Sequence, residues 1–383
     1  MAKRTIFQDV SEGSAAPPPP QGGMISAGQG RSRRPVLIWL ILIFAMVAAM
    51  ILLGGLTRLS GAGLSITEWR PISGVLPPMS DAAWQAEFLN YQQSPQFKLM
   101  NSHMDLAGFK TIFWWEWAHR LLGRLIGLVW GFGFLFLALT RHVPPGWSRR
   151  FFLLGALGGL QGAVGWWMVA SGLTGDMTAV ASYRLAIHLG MGFAILGLIV
   201  WYVQSLGRSG AQLLQARRVR EERLYKLSVW LSAGIFVQVL LGALVAGIDA
   251  GRAFPTWPLM NGSFFPADAF YLPDGGATWR AFFENPGLVQ FIHRMMAYLL
   301  LAYGAYVVLQ GRRSPHETAR GAFTALGVAL LAQAVLGILT ALYAAPLGLA
   351  IAHQAGAILT FSLALRATHR ALYPIATAIR DQK

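Results

Sequence analysis

The chain of 383 residues contains no cysteine. That excludes disulfides, iron–sulfur ligation and thiolate-ligated heme, so any metal or cofactor must be held by His, Met, Tyr or carboxylates. Acidic residues are also scarce, 16 against 31 Lys and Arg, and charged residues make up 12% of the chain against 55% hydrophobic. With a mean hydropathy of +0.49, so little charge cannot cover a water-soluble surface, and the solvent for most of the chain is lipid. The net charge of +15 would suit nucleic acid if it lay along one face. It falls instead in short clusters between long apolar stretches, which speaks against a nucleic-acid partner.

What the chain has in abundance is apolar runs long enough to span about 30 Å of hydrocarbon. They lie near 36–56, 113–140, 151–171, 183–204, 227–248, 288–309, 321–343 and 347–368, which predicts eight transmembrane helices. Residues 1–35, with Pro17-Pro18-Pro19-Pro20, several glycines and Arg31, Arg33 and Arg34, show no apolar periodicity and read as a disordered arm ending in a basic anchor. Of the 31 Lys and Arg, 21 fall on the side of the N-terminus. The positive-inside rule then puts both termini, including the tail at 373–383, in the cytoplasm. Asp9 and Glu12 fit poorly with a mitochondrial presequence, so a bacterial inner membrane is expected. The two long loops, 57–112 and 249–287, are rich in Trp, Pro, Gly and Phe and read as structured caps on the outer side.

The chain repeats itself. Leu53-Gly54-Gly55-Leu56, Gly63, Trp69, Gly74 and Pro78 return as Leu241-Gly242-Ala243-Leu244, Gly251, Trp257, Gly262 and Pro266, all at an offset of 188. His119-Arg120 returns as His293-Arg294 at 174, Gln161 and Gly165 as Gln333 and Gly337 at 172, and His188 answers to His353. Each half is thus four helices, 36–210 and 211–372, and an even number gives both the same orientation. The expected fold is all-α: two four-helix bundles related by a pseudo-twofold axis along the membrane normal.

His119, His188, His293 and His353 stand on the second, fourth, sixth and eighth spans, each five or six residues after the apparent start. That places four imidazoles at one depth. Within each half, two of them are able to face one another across a bundle and ligate a heme iron from both sides. One intramembrane His is ordinarily an interhelical hydrogen bond, but four repeated by symmetry point to paired cofactor ligation. His103, His142, His316 and His369 lie in loops or among basic residues and read as solvated surface groups. Arg120, Arg124 and Arg294 are placed to pair with heme propionates, or alternatively to snorkel to the interface. Glu116 precedes His119 by three residues and shares its helix face, whereas its counterpart is Gln290. A carboxylate there is able to move protons or orient water, or simply to bridge to Arg120 or Lys110. The asymmetry suggests one reactive heme and one electron-transfer heme.

These residues resemble the heme A synthases, closest to the alphaproteobacterial and mitochondrial group. The resemblance covers about 36–370 and rests on Gly54 through Ser65 (GGLTRLSGAGLS), Glu68-Trp69-Arg70-Pro71, Phe109-Lys110, Phe113 through Arg120 (FWWEWAHR) and Phe291-Ile292-His293-Arg294. It implies oxidation of the C8 methyl of heme O to a formyl group. It further implies a resident heme b on His293 and His353, the substrate heme on His119 and His188, and Glu116 at the family's essential acidic position. Heme O synthase and an electron donor are the implied partners; a homo-oligomer is compatible but not specified. Some relatives carry a loop cysteine pair that this chain lacks. Two other classes compete: a di-heme b-type electron-transfer cytochrome, which would need the histidines but no carboxylate, and a repeat-built transporter, which the off-centre histidines and unbroken helices disfavour.

Overall fold

The computed structural model describes residues 33–375; of the expected disordered arm at 1–35, residues 1–32 lie outside the described residues and Arg34 and Pro35 are in the first turn of a helix instead, while the end of the tail, 376–383, also lies outside. Among the described residues eight helices are long and apolar enough to cross a membrane. They are α1 (Arg34–Leu59), α2 (Leu106–Leu139), α3 (Ser148–Gly172), α4 (Ser182–Leu206), α5 (Glu222–Gly247), α6 (Pro286–Arg312), α7 (Glu317–Leu342) and α8 (Leu347–Leu372). Among the described residues the only β pairing is an isolated bridge between Met260 and Ser263. The chain is an all-α, multi-pass membrane protein.

Local chemistry sets the helix ends. Pro35 and Pro286 open α1 and α6, where a missing N–H costs nothing. Asp105 and Asn285 cap α2 and α6 by accepting the amides of Gly108 (2.8 Å) and Leu288 (2.9 Å). Seven helices start within five residues of the apolar runs, but α2 starts at Leu106 rather than near 113. Lys110 and Thr111 depress the hydropathy there. The segment is helical all the same because Phe109 and Ile112 bury one face against Ala62, Trp84, Phe88 and Tyr91, while Lys110 lies over the Trp84 ring at 5.0 Å.

Helix α1 packs on α2 and α4, and α3 closes against the same two; α5 packs on α6 and α8, and α7 closes against those. The four helices α1, α4, α5 and α8 meet one another around a core that includes Leu40, Ile43, Leu196, Ile199, Leu231, Ile235, Phe361 and Ala364. The peripheral helices turn Phe132, Leu139, Phe152, Leu299, Val328 and Leu331 outward, an apolar exterior that lipid accepts and water would not.

The loops between α1 and α2 and between α5 and α6 are built without disulfides. In the first, helix Asp81–Gln92 is capped by Ser80, and Tyr91 donates to Gln96 (3.0 Å), which in turn holds the Gly61 carbonyl (3.1 Å). In the second, Asn285 Nδ2 donates to the carbonyls of Asp268 (2.8 Å) and Tyr271 (3.0 Å). At the other end of the helices, the basic stretch after α4 forms a short helix, Gly210–Arg218, with a Ser209–Gln212 capping box. It stands at the expected boundary between the halves.

His369 is a correction. It is fully buried rather than solvated, because α8 continues to Leu372 and carries it against α4. Its ring lies 5.0 Å from that of Trp201 and 4.9 Å from that of Tyr373, with Nε2 3.4 Å from Ser205 Oγ. His103 is exposed, and His142 and His316 are half-buried.

Candidate functional site

Each of the four histidines is seated on a glycine of the helix that precedes its own. A Cβ added to Gly54 would lie 3.0 Å from His119 Cε1; the corresponding distances are 2.9 Å for Gly165 and His188, 3.2 Å for Gly242 and His293, and 3.0 Å for Gly337 and His353. A side chain at any of these positions would push the imidazole aside, so the absent Cβ is the seat. Four residues earlier on α3, α5 and α7 stand Gln161, Gln238 and Gln333, one turn from each glycine. Their Nε2 atoms donate to the backbone carbonyls of His188 (3.0 Å), His293 (3.0 Å) and His353 (2.9 Å) and lie 3.2, 3.2 and 3.3 Å from the Nδ1 atoms. His119 and His188 lie within electrostatic reach of each other, as do His293 and His353. His119 stands thirteen residues into its helix because of the added first turns of α2; the others stand six or seven residues in.

Glu116 is 3% exposed and fully engaged. Its Oε2 accepts from Ser65 Oγ (2.7 Å) and the Ile66 amide (2.9 Å), and its Oε1 accepts from Arg120 Nη2 (2.6 Å) and Nε (3.1 Å). Arg120 also donates to the carbonyls of Ile66 (2.7 Å) and Glu68 (2.9 Å), and Arg124 to those of Arg70 and Pro71, both at 2.9 Å. These two arginines and Glu116 thus staple the first loop to α2, one turn from His119. In the second half Arg294 donates to the Phe254 carbonyl (2.7 Å), with Gln290 beside it (3.5 Å). Buried Arg294 keeps Nε and Nη1 without a protein partner.

The sequence reading missed the roles of the glycines and glutamines, although the Gln–Gly spacing of four ahead of three of the four histidine spans was visible as the signal. It also missed Arg184, one turn before His188 on the same face of α4. Its guanidinium lies 5.1 Å from the Trp167 ring, with Nε and Nη1 buried and unpartnered.

These residues fit heme. Among the described residues there is no cluster of three or more His, Cys, Asp or Glu able to enclose a metal ion. Paired imidazoles suit an iron whose remaining ligands come from an organic ring. The buried unpartnered nitrogens of Arg184 and Arg294 suit the carboxylates of such a ring's edge.

A membrane protein with paired histidines on successive helix hairpins is the class so defined. The model of a family described as cytochrome oxidase assembly protein matches residues 37–365, and the chain belongs to that family. It is 58% identical over 380 residues to the heme A synthase of Paracoccus denitrificans, covering 99% of each chain. It is 56% identical over 384 residues to that of Cereibacter sphaeroides (99% of this chain, 98% of the relative) and 56% over 382 residues to that of Ruegeria pomeroyi (99% of each).

Proposed function

We propose that this chain oxidises the C8 methyl of heme O to a formyl group, giving heme A for terminal oxidases, by successive hydroxylations and loss of water. The observation that carries the reading is two like pairs of histidine seats, of which only one pair has a buried carboxylate beside it. On this reading residues 36–210 and 211–372 are two four-helix units related by a pseudo-twofold axis. The first binds the substrate heme through His119 and His188, and the second holds heme b through His293 and His353. Heme b supplies one-electron redox capacity when bound.

The residues around the first pair do the rest. Helices α2 and α4 orient the substrate through His119 and His188, while Arg184 offers two N–H groups to a propionate. Glu116, held by Ser65, Ile66 and Arg120, keeps a proton acceptor one turn from His119. Arg120 and Arg124 position the first loop over it. Arg294 serves a propionate of heme b. The protein works in a bacterial inner membrane with both termini cytoplasmic; it takes heme O from a heme O synthase and electrons from a donor, with an external oxidant taking up the four electrons that methyl-to-formyl conversion releases.

Heme extraction with mass analysis, from cells expressing the chain beside a source of heme O, tests this. Heme b together with heme A is the expected result. Heme O left unchanged by folded protein overturns the enzymatic reading, and heme b alone in both sites replaces it with an electron-transfer cytochrome.

A further inference from the structure

The four histidine seats follow one plan with one omission. Gln161, Gln238 and Gln333 occupy the position one turn before the seating glycine, and each ties the backbone of its histidine and lies nearest the ring Nδ1, with Gln161 and Gln238 also 3.4 Å from Nε2. Ahead of Gly54 that position is Met50, the repeat counterpart of Gln238. Its methyl lies against α2, 3.5 Å from where a Cβ at Gly123 would stand. A thioether donates no hydrogen bond and accepts only weakly. His119 Nδ1 is accordingly buried without a partner. The Oε1 atoms of all three glutamines are buried and unpartnered, so a turn of each amide, which gives up its bond to the histidine carbonyl, would offer an acceptor to the Nδ1–H of a ring that ligates through Nε2. No such acceptor faces His119 from position 50.

A ligand histidine depends on the group that holds its other nitrogen, which fixes the tautomer and the ring orientation. Three of the four rings are held in this way and one is not. The free ring belongs to the pair that, on the function proposed above, must take in a substrate and let a product go, while both rings of the resident pair are held. We propose that His119 is the exchangeable ligand of the substrate site, and that Met50 is the positioning residue that leaves it free. His188, tied by Gln161, keeps the heme in register while His119 lets go and rebinds.

The test is transfer of heme from the purified full-length protein in nanodiscs to excess apomyoglobin, with each heme type followed separately by chromatography. Hemes O and A are expected to leave at least about tenfold faster than heme b, the size of effect that such supporting contacts carry. Met50→Gln is expected to slow the fast component by about tenfold or more, and Gln238→Met to speed the loss of heme b by a similar factor. Met50→Leu, which keeps the volume but adds no amide, should behave as the unaltered protein does; slowing by Leu equal to that by Gln would assign the effect to packing and overturn the proposal. Loading both sites with heme b separates this inference from the functional reading. If the fast phase disappears in Met50→Gln although no heme A is ever formed, the exchangeable ligand stands and the enzymatic reading falls. If heme A forms and the fast phase persists unchanged in Met50→Gln, the exchangeable ligand alone falls.

Discussion

The two halves hold their long loops by the same carbonyl but neutralise the arginine that does so differently. Arg120 donates to the Ile66 carbonyl and Arg294 to the Phe254 carbonyl, positions 188 apart. In the first half Glu116 supplies the counter-charge at 2.6 Å, so the cluster is complete without help. In the second, Gln290 is neutral, and Arg294, 7% exposed, has two nitrogens with no protein partner. A buried cation left without an anion is costly, by several kcal/mol in ordinary cases. The Glu116–Arg120 cluster therefore needs no ligand anion, whereas Arg294 favours one; in the first half that demand falls instead on half-buried Arg184 of α4, whose Nε and Nη1 have no protein partner. The same difference, Glu against Gln, thus separates an arginine that is neutralised within the protein from one that is not.

The sharpest way to break this comparison is Glu116→Gln, which makes the first half resemble the second. Conversion is expected to fall by about 10²–10⁴-fold, the usual contribution of a positioned acid or base, with both hemes still bound. Heme extraction measures it. Because Glu116 also anchors Ser65 and Ile66, limited proteolysis of the first loop should be followed in parallel. Full conversion with a loosened loop would reduce Glu116 to an anchor. Next in size come the glycine seats. Gly337→Val is expected to cost the His293/His353 pair about 10–100-fold in heme affinity by driving the His353 ring from its seat, and Gly165→Val the same for the His119/His188 pair. Heme b per protein should drop in the first variant and hold in the second. Equal loss of both hemes in either variant would mean that the seats are not independent.

The eight spans were legible because lipid demands long apolar runs, and the histidines because polar groups within such runs are rare. The first two turns of α2 were not, since Lys110 and Thr111 dilute a face whose burial depends on Trp84, Phe88 and Tyr91 from a distant loop. His369 was misread because nearby basic residues announce a surface, whereas its burial depends on Trp201, more than 160 residues away. Gln161 and Gln333 stood out as repeat markers, but their meaning lies in hydrogen bonds across helices that no spacing displays. Gln238 opposite Met50 was hidden for the same reason: a repeat draws attention to identities, and this difference matters only once His119 and His293 are in their seats.

The smallest expected effect concerns a contact that belongs to neither half. Arg58, in the last turn of α1, donates to the Gly247 carbonyl (2.9 Å) and to Asp249 Oδ2 (3.0 Å), joining α1 to the end of α5. Its counterparts at the repeat offset are Ala246 and, for Asp249, Gly61, so no mirror-image bridge exists between them. Asp249 is 45% exposed at its side chain, and an ion pair so open to solvent is worth only about 0–1 kcal/mol. Asp249 also has φ of 53°, a left-handed conformation that Asn tolerates and Gly adopts freely. Asp249→Asn should therefore lower the apparent Tm by no more than about 2 °C, less at high salt, by removing the charge alone. Asp249→Gly removes the same charge but relieves the backbone, and should sit above Asp249→Asn in a thermal scan. If Asp249→Asn instead costs as much as a glycine-seat variant, the bridge is a principal fastening between the halves, and their contact owes less to the apolar packing of α1, α4, α5 and α8 than the core suggests.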